Sequence, residues 1–228
     1  MKLTNNTIFI TGGTSGIGRA MAEKFHQLGN QVIISGRREA LLKEVIAASP
    51  GMDYVVLDVT RADSIHAAAQ SVLERYPALN VVINNAGIMP FDNAAGELDD
   101  AQAVTLLNTN ILGPVRVSAA FIEHLKQQPD AVLINNSSVL AFLPLATNAL
   151  YSATKAAIHS YTLSQRFLLR DTGVQVIEIS PPWVDTDLIY KSGDPRAMPL
   201  DAFISETFDK LGTDTIEAIV DRVLPVRD

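Results

Sequence analysis

Cysteine is absent from all 228 residues. Disulfides, thiolate metal sites and thiol nucleophiles are therefore excluded, while no cellular compartment is. Cations are also in deficit: 18 Lys and Arg against 25 Asp and Glu leave a formal net charge of −7. A chain of that sign is a poor partner for nucleic acid or an anionic membrane, since both need a basic face. No apolar run approaches the length of a membrane span, and no cationic leader precedes an apolar core, because Ile8-Phe9-Ile10 breaks straight into glycine. The expectation is a soluble, cytoplasmic protein. His26, His66, His124 and His159 are scattered without ligand spacing, so no metal site is expected.

What remains is ordinary globular composition, with 47% hydrophobic and 19% charged residues. The length suits one domain with a substantial core. Along the chain, short apolar runs alternate with helical patterns. Strands are predicted at Thr7 to Thr11, Gln31 to Ser35, Tyr54 to Leu57, Val81 to Ile83, Ala131 to Ile134 and Val174 to Ile179. Between them, apolar residues recur every three or four positions. One long helical region, from about Asp99 to Gln127, should bend at Gly113-Pro114. Thr60 with Asp63 resembles a capping box for the helix that follows. Nearly all-apolar strands alternating with helices define an α/β fold with a doubly wound, mostly parallel sheet, a Rossmann fold, in a single domain over 1–228.

In such a sheet, ligands sit beyond the carboxyl ends of the strands. The polar and glycine clusters fall there. The first strand runs into Gly12-Gly13-Thr14-Ser15-Gly16-Ile17-Gly18, and a helix begins at once. Glycines at that turn let backbone amides approach a phosphate, and the helix amino terminus adds free N–H groups and partial positive charge. After the second strand come Arg37 and Arg38. No acidic residue is there to accept from a ribose 2′-hydroxyl, and guanidinium groups instead suit a 2′-phosphate, which favours NADP (NADPH) over NAD. Asp58 either caps the next helix or accepts from an adenine amino group. Asn85-Ala86-Gly87 is either a plain turn or a small-residue floor for a ribose and ring. Tyr151 and Lys155 lie four apart on a helix and so share a face. A nearby ammonium favours the phenolate of a tyrosine whose free pKa is about 10.

These motifs together resemble the short-chain dehydrogenase/reductase family in its short, single-domain form. The resemblance rests on Thr11-Gly12-x-x-x-Gly16-Ile17-Gly18, Asp58-Val59, Asn84-Asn85-Ala86-Gly87, Asn110-x-x-Gly113, Ser138, Tyr151 and Lys155, in that order. It covers Lys2 to about Leu188. Within the family, the runs Val32 to Arg38 and Tyr151 to Ser164 are similar to a bacterial branch that includes oxidoreductases of D-alanyl-lipoteichoic acid operons. The resemblance implies that Tyr151 is the general acid/base, that Ser138 holds the substrate oxygen, and that Lys155 lowers the tyrosine pKa and binds the nicotinamide ribose. Asn110 would hold a water in the proton relay. Pro181-Pro182-Trp183-Val184-Asp185-Thr186 matches the family's Pro-Gly-x-Val-x-Thr, with Pro182 in place of the glycine and Thr186 expected near the carboxamide. Ser15 stands where some NADP-dependent members carry a base, leaving the 2′-phosphate to Arg37 and Arg38. The implied activity is hydride transfer between NADP and a carbonyl or alcohol. The substrate would be small and partly apolar, walled by Leu140, Phe142, Leu143, Met89, Phe91 and Trp183.

Past Leu188 the resemblance fades. Residues 187–212, and Tyr190 to Pro199 above all, read as a mobile lid over the substrate. Residues 213–224 read as helical or irregular, without the strand that usually closes the family's sheet. Outer faces of the long helices carry apolar residues such as Phe121, Leu163 and Phe167, and a homodimer is expected. Two other classes bear on the same motifs. A non-catalytic NADP-binding sensor would keep the glycine loop without needing Ser138, Tyr151, Lys155 and Asn110 together. A sugar-nucleotide epimerase would need a larger carboxyl-terminal domain than the stretch after Ile179 allows.

Overall fold

The computed structural model describes residues 1–188 and 193–227. Seven strands, β1 (Thr7–Thr11), β2 (Gln31–Gly36), β3 (Asp53–Val56), β4 (Val81–Asn84), β5 (Val132–Asn136), β6 (Gln175–Ile179) and β7 (Glu217–Ala218), form one sheet. Their order is β3-β2-β1-β4-β5-β6-β7 and every pairing is parallel. The order reverses between β1 and β4, which opens a crevice at their carboxyl ends.

Alternate residues of each strand enter different cores, because successive side chains leave opposite faces. Ile8, Ile10, Val32, Ile34, Val81 and Ile83 face one side. There they meet Met21 and Phe25 of helix α1 (Gly16–Gln27) and Leu42 and Val45 of α2 (Glu39–Ala48). Phe9, Ile33, Val82 and Leu133 face the other. That core is closed by Ile65 and Val72 of α3 (Ala62–Arg75), Val117 and Phe121 of α5 (Gly113–Leu125) and Leu169 of α6 (Ala149–Leu169). Burial on both faces is why the central strands are apolar throughout rather than alternating.

Four expectations are corrected. The long helical region is divided at 108–112, not at Gly113-Pro114: α4 (Asp100–Leu107) passes through a π-helical turn, Asn108–Leu112, into α5 with Pro114 in its first turn. Proline is accommodated there because the π-helical turn just before it interrupts the regular ladder that its missing N–H would otherwise join. Thr60 and Asp63 do not form a capping box; Arg61 precedes α3 and no side chain caps it. Thr60 instead donates its N–H and hydroxyl to Asp58, at 3.0 and 2.7 Å. The closing strand is present as β7, two residues long and paired in parallel with Glu178 and Ile179 of β6. Phe121 belongs to the core, tilted against Phe9 with ring centroids 5.0 Å apart, while Leu163 and Phe167 are exposed.

The stretch expected to form a lid is not uniform. Residues 189–192 lie outside the described residues. Leu200–Leu211 is α7, whose Phe203, Ile204, Phe208 and Leu211 are buried. Phe208 packs on Phe25 of α1 with ring centroids at 4.5 Å. That part of the expected lid is core.

Candidate active site

A cavity of about 1050 Å³ occupies the crevice at the carboxyl ends of the strands. Its first wall is the turn between β1 and α1. Gly12 has φ +71°, and a Cβ there would stand 2.9 Å from the Ala86 Cα. A Cβ on Gly18 would meet the Gly12 carbonyl oxygen at 2.3 Å. Only glycine lets this turn close against the loop after β4. No side chain caps α1, and its first turn holds no acidic residue, so its leading N–H groups and dipole face the cavity uncompensated.

Thr11 ties that wall to the next. Its hydroxyl accepts from the Asn85 and Ala86 N–H groups, both at 3.0 Å. The Asn85 amide donates to the Thr11 carbonyl at 3.1 Å and accepts from Asn136 Nδ2 at 2.8 Å. The Asn136 carbonyl in turn accepts from Lys155 Nζ at 2.8 Å. A continuous chain of hydrogen bonds thus runs from the glycine turn across β4 and β5 to the lysine. Asn136 Oδ1 is buried and without a partner among the described residues.

Tyr151 and Lys155 project from α6 into the same space, with the ammonium 5.6 Å from the phenol ring centroid. Both are buried. Burial raises the Tyr151 pKa above its ordinary value, while a hydrogen bond from Ser138 works the other way. Burial also lowers the Lys155 ammonium to about 8, with the negative charge of Glu178 opposing the shift. Ser138 follows β5, and its hydroxyl accepts from the Leu140 N–H at 3.1 Å. Tyr151 packs with Met89 and Leu106 in a small apolar cluster beneath the cavity.

The end of the cavity beyond β2 is polar. Arg37 and Arg38 are exposed, line the cavity, and have no ion-pair partner within 4 Å among the described residues. Burial works to raise the Asp58 carboxyl, but its Thr60 hydrogen bonds and the Arg37 and Arg61 charges outweigh it and hold it below its ordinary value. The site residues singled out in the sequence, Gly12, Thr14, Ser15, Gly16, Ile17 and Gly18, with Arg37, Arg38, Asp58, Val59, Asn85, Ala86, Gly87, Ser138, Leu140, Tyr151, Lys155, Pro181, Trp183, Val184 and Thr186, all line this cavity. The residues present fit a dinucleotide. Glycines leave room where a phosphate would sit, a bare helix terminus faces it, and two guanidiniums with no ion-pair partner among the described residues stand beyond β2, where a ribose would lie.

Three candidates, Asn110, Phe142 and Leu143, are not among the cavity's lining residues. Asn110 sits in the π-turn behind the cavity; its Nδ2 donates to the Ile88 carbonyl at 2.9 Å and the Thr154 hydroxyl at 3.2 Å, and its Oδ1 accepts from the Ile88 N–H at 3.0 Å. It pins the loop after β4. Phe142 is not in the wall; its ring stands edge-on to His159 at 5.0 Å, and Leu143 is exposed. The serine cap at Ser138 starts a single 3-10 turn, Val139–Ala141, which aims Leu140 inward and Phe142 away.

Sequence reasoning missed Asp92, which accepts from the Ala149 and Leu150 N–H groups at 3.0 and 2.8 Å and so caps α6 from a distance. It also missed Asn148, fully buried and donating to the Pro90 carbonyl at 2.9 Å. These contacts orient the helix carrying Tyr151. They are long-range, and no local spacing announces them.

Residues 6–196 match the family model of the short chain dehydrogenases, and the chain belongs to that family. It is an oxidoreductase with the family's nicotinamide-cofactor fold. It is 44% identical over 212 residues to the uncharacterized oxidoreductase DltE of Bacillus subtilis, covering 91% of this chain and 83% of that one. It is 31% identical to sulfoacetaldehyde reductase 2 of Chromohalobacter salexigens, over 94% and 87% of the two chains. Among solved structures, a short chain dehydrogenase of Burkholderia cenocepacia in complex with NADP superposes with a TM-score of 0.88 at 24% identity, over 100% of this chain and 93% of that one.

Proposed function

We propose that this chain is a cytoplasmic, NADP-dependent carbonyl reductase for small substrates with an apolar flank, working as a homodimer. The observation that carries the reading is the convergence of Ser138, Tyr151 and Lys155 in one cavity with Arg37 and Arg38 at its far end. Reduction of a carbonyl needs a hydride and a proton. The nicotinamide supplies the hydride when bound. The chain's own residues handle the oxygen and the proton. The Ser138 hydroxyl donates to the carbonyl oxygen and holds it beside Tyr151. Burial keeps the Tyr151 phenol protonated, as a proton donor must be, and it delivers that proton to the developing alkoxide. The Lys155 ammonium stabilises the phenolate left behind.

The preference for NADPH follows from charge. The 2′-phosphate would meet two unpaired guanidiniums, whereas Asp58 is already engaged by Thr60. The substrate side is lined by Met89, Phe91, Leu140, Leu145, Trp183 and Leu188. Phe91, Leu145 and Leu188 remain exposed at its rim, so a partly apolar carbonyl compound would cover them. For assembly, Leu163, Phe167 and Leu168 of α6 are exposed, Phe167 at 64% and Leu168 at 74%. Contiguous apolar surface of this kind favours a second copy, and light scattering should return the mass of two chains rather than one or four.

The reading is tested by following NADPH oxidation with a panel of apolar aldehydes and ketones, with NADH alongside. Turnover is expected with NADPH and weakly with NADH. Tight NADPH binding without turnover on any compound would instead support a binding or sensing role.

A further inference from the structure

Tyr151 is the third residue of α6, in a first turn whose N–H groups have no helical partners. Fraying of that turn would move the phenol. Asn148 stands at the position that should cap it, yet its side chain makes no capping bond to the helix. Its Nδ2 donates instead to the Pro90 carbonyl at 2.9 Å, and its Oδ1 accepts from the Thr147 hydroxyl at 2.9 Å. The cap comes from Asp92, 57 positions before the helix begins. One carboxylate oxygen accepts from the Ala149 N–H at 3.0 Å and the other from the Leu150 N–H at 2.8 Å. The Asp92 N–H donates to the Thr147 carbonyl at 3.0 Å. The two partners have exchanged caps: the helix's own cap residue holds the loop, and the loop's carboxylate holds the helix.

The segment that carries Asp92, residues 88–92, meets the same turn at its other end. Asn110 holds Ile88, and its bond to the Thr154 hydroxyl leads on to Tyr151, because that hydroxyl donates to the Tyr151 carbonyl at 2.7 Å. Between the two anchors, Met89 is buried in one apolar cluster with Tyr151. Met89, Pro90 and Phe91 also line the cavity, with Phe91 62% exposed at its rim. This strap therefore grips the turn of the phenol on one side and offers an aromatic ring to the substrate on the other.

We infer that Asp92 is a positioning residue: its carboxylate seats Tyr151 and Phe91 together, so that the proton donor and the contact with an apolar flank stand in fixed relation. Contact with the flank and delivery of the proton then depend on one latch, and its loss costs rate and flank preference at once. Asp92 itself is not among the residues lining the cavity, and the latch makes no bond to the glycine turn or to Arg37 and Arg38. Cofactor binding should therefore not depend on it. The inference rests on the roles given to Tyr151 and Phe91 in the reductase reading above.

The test uses the full chain with NADPH and two aldehydes, hexanal and propanal, which differ in their apolar flank. Asp92→Ala should lower kcat per folded chain by about 10-fold. It should also shrink the advantage of hexanal over propanal in kcat/KM by about threefold, while the Kd for NADPH stays within about twofold of wild type. Asp92→Asn keeps one acceptor and should recover part of both losses; where Asp92→Ala does not fold, this variant is read in its place. A role confined to stability would lower the folded fraction and leave these values per folded chain unchanged. A folded variant that keeps kcat within about twofold of wild type, or that loses rate without losing the preference for hexanal, overturns the inference. A second readout needs no turnover. In protein carrying 3-fluorotyrosine, the Tyr151 resonance is identified by its absence from Tyr151→Phe, and it should shift or broaden when Asp92 is replaced. An unmoved resonance overturns the inference. A moved resonance in a protein that reduces no carbonyl would sink the reductase reading and leave the latch on Tyr151 standing, and turnover with an unmoved resonance would do the reverse.

Discussion

Asparagine clusters at both ends of the sheet, and the two clusters are built to opposite purposes. At the amino ends, Asn6, Asn30 and Asn80 each stand immediately before a strand and are buried. They satisfy one another and the backbone. Asn30 Oδ1 accepts from the Asn6 N–H at 2.9 Å, and Asn30 Nδ2 donates to the Leu3 and Phe25 carbonyls at 2.8 and 2.7 Å. Asn80 Nδ2 donates to Asn6 Oδ1, while Asn80 Oδ1 accepts from the Thr7 N–H, both at 3.0 Å. At the carboxyl ends, Asn84 is bonded to Asn135 and Asn85 to Asn136, yet Asn84 Oδ1 and Asn136 Oδ1 have no partner among the described residues, and Asn136 lines the cavity. A closed polar network rigidifies a fold; an open one leaves capacity for a ligand.

If that contrast is right, substitutions at the two ends should separate activity from stability. The largest effect is expected at the open end. Tyr151→Phe removes one hydroxyl, and turnover of NADPH with an accepted carbonyl should fall by about 100-fold or more. The melting temperature should hardly move, because the ring and its contacts with Met89 and Leu106 remain. A variant that keeps more than about a tenth of wild-type turnover would remove Tyr151 as the proton donor.

The closed end should show the reverse. Asn30→Ala deletes both its donor bonds to carbonyls and the acceptor of the Asn6 N–H, leaving buried groups unpaired at the foot of β1 and β2. Denaturant unfolding should report a loss of about 2–4 kcal/mol. The kcat of the folded fraction should stay within about twofold of wild type, since additive, uncoupled effects are expected for sites this far apart. A Asn30→Ala protein as stable as wild type would show that the network is incidental.

The two ends also differed in how legible they were. The carboxyl-end cluster could be read because its polar residues terminate apolar runs in step, strand after strand, where a doubly wound sheet binds ligands. Gly12, Arg37 and Ser138 are picked out by such local punctuation, and Tyr151 and Lys155 by their four-residue spacing on one helix and the family resemblance. The amino-end asparagines were not: a lone Asn before a strand looks like any turn residue, and the asparagines it pairs with are 24 to 74 positions away. The same reason hid Asp92, whose partners come from another element. Phe142 was misplaced because a single 3-10 turn reverses its direction. The final strand was missed because two residues carry no periodicity. Phe121 looked like an outer-face residue until the packing of Phe9 showed which face α5 turns inward.

A smaller effect should come from Arg37→Ala with Arg38→Ala. Both guanidiniums are exposed and without ion pairs among the described residues, so stability should change by no more than about 0.5 kcal/mol. Fluorescence titration should nevertheless show NADPH binding weakened by about tenfold or more, with NADH binding unchanged. Equal weakening of both cofactors would mean that the pair acts on the shared pyrophosphate or on folding, and the NADP preference would have to be abandoned.

The subtlest difference between the ends is electrostatic. The closed end has no ionisable side chain among its three asparagines, whereas the open end buries Lys155. In the folded chain this ammonium titrates at about 8, below the ordinary lysine value of 10.5. Below pH 8 both folded and unfolded chains carry the proton. Between about pH 8 and 10.5 the folded chain has released it and the unfolded chain has not. The unfolded state then binds more protons, and stability rises with pH across that window. The contribution is on the order of 3 kcal/mol, superposed on whatever other groups titrate there. It is isolated by comparing pH-dependent denaturation of wild type and Lys155→Met: the wild-type curve should climb relative to the variant between pH 8 and 10.5, while Asn30→Ala should run parallel to wild type throughout. Parallel curves for wild type and Lys155→Met would mean that the buried lysine keeps its ordinary pKa, and the open end would then be no more strained by charge than the closed one.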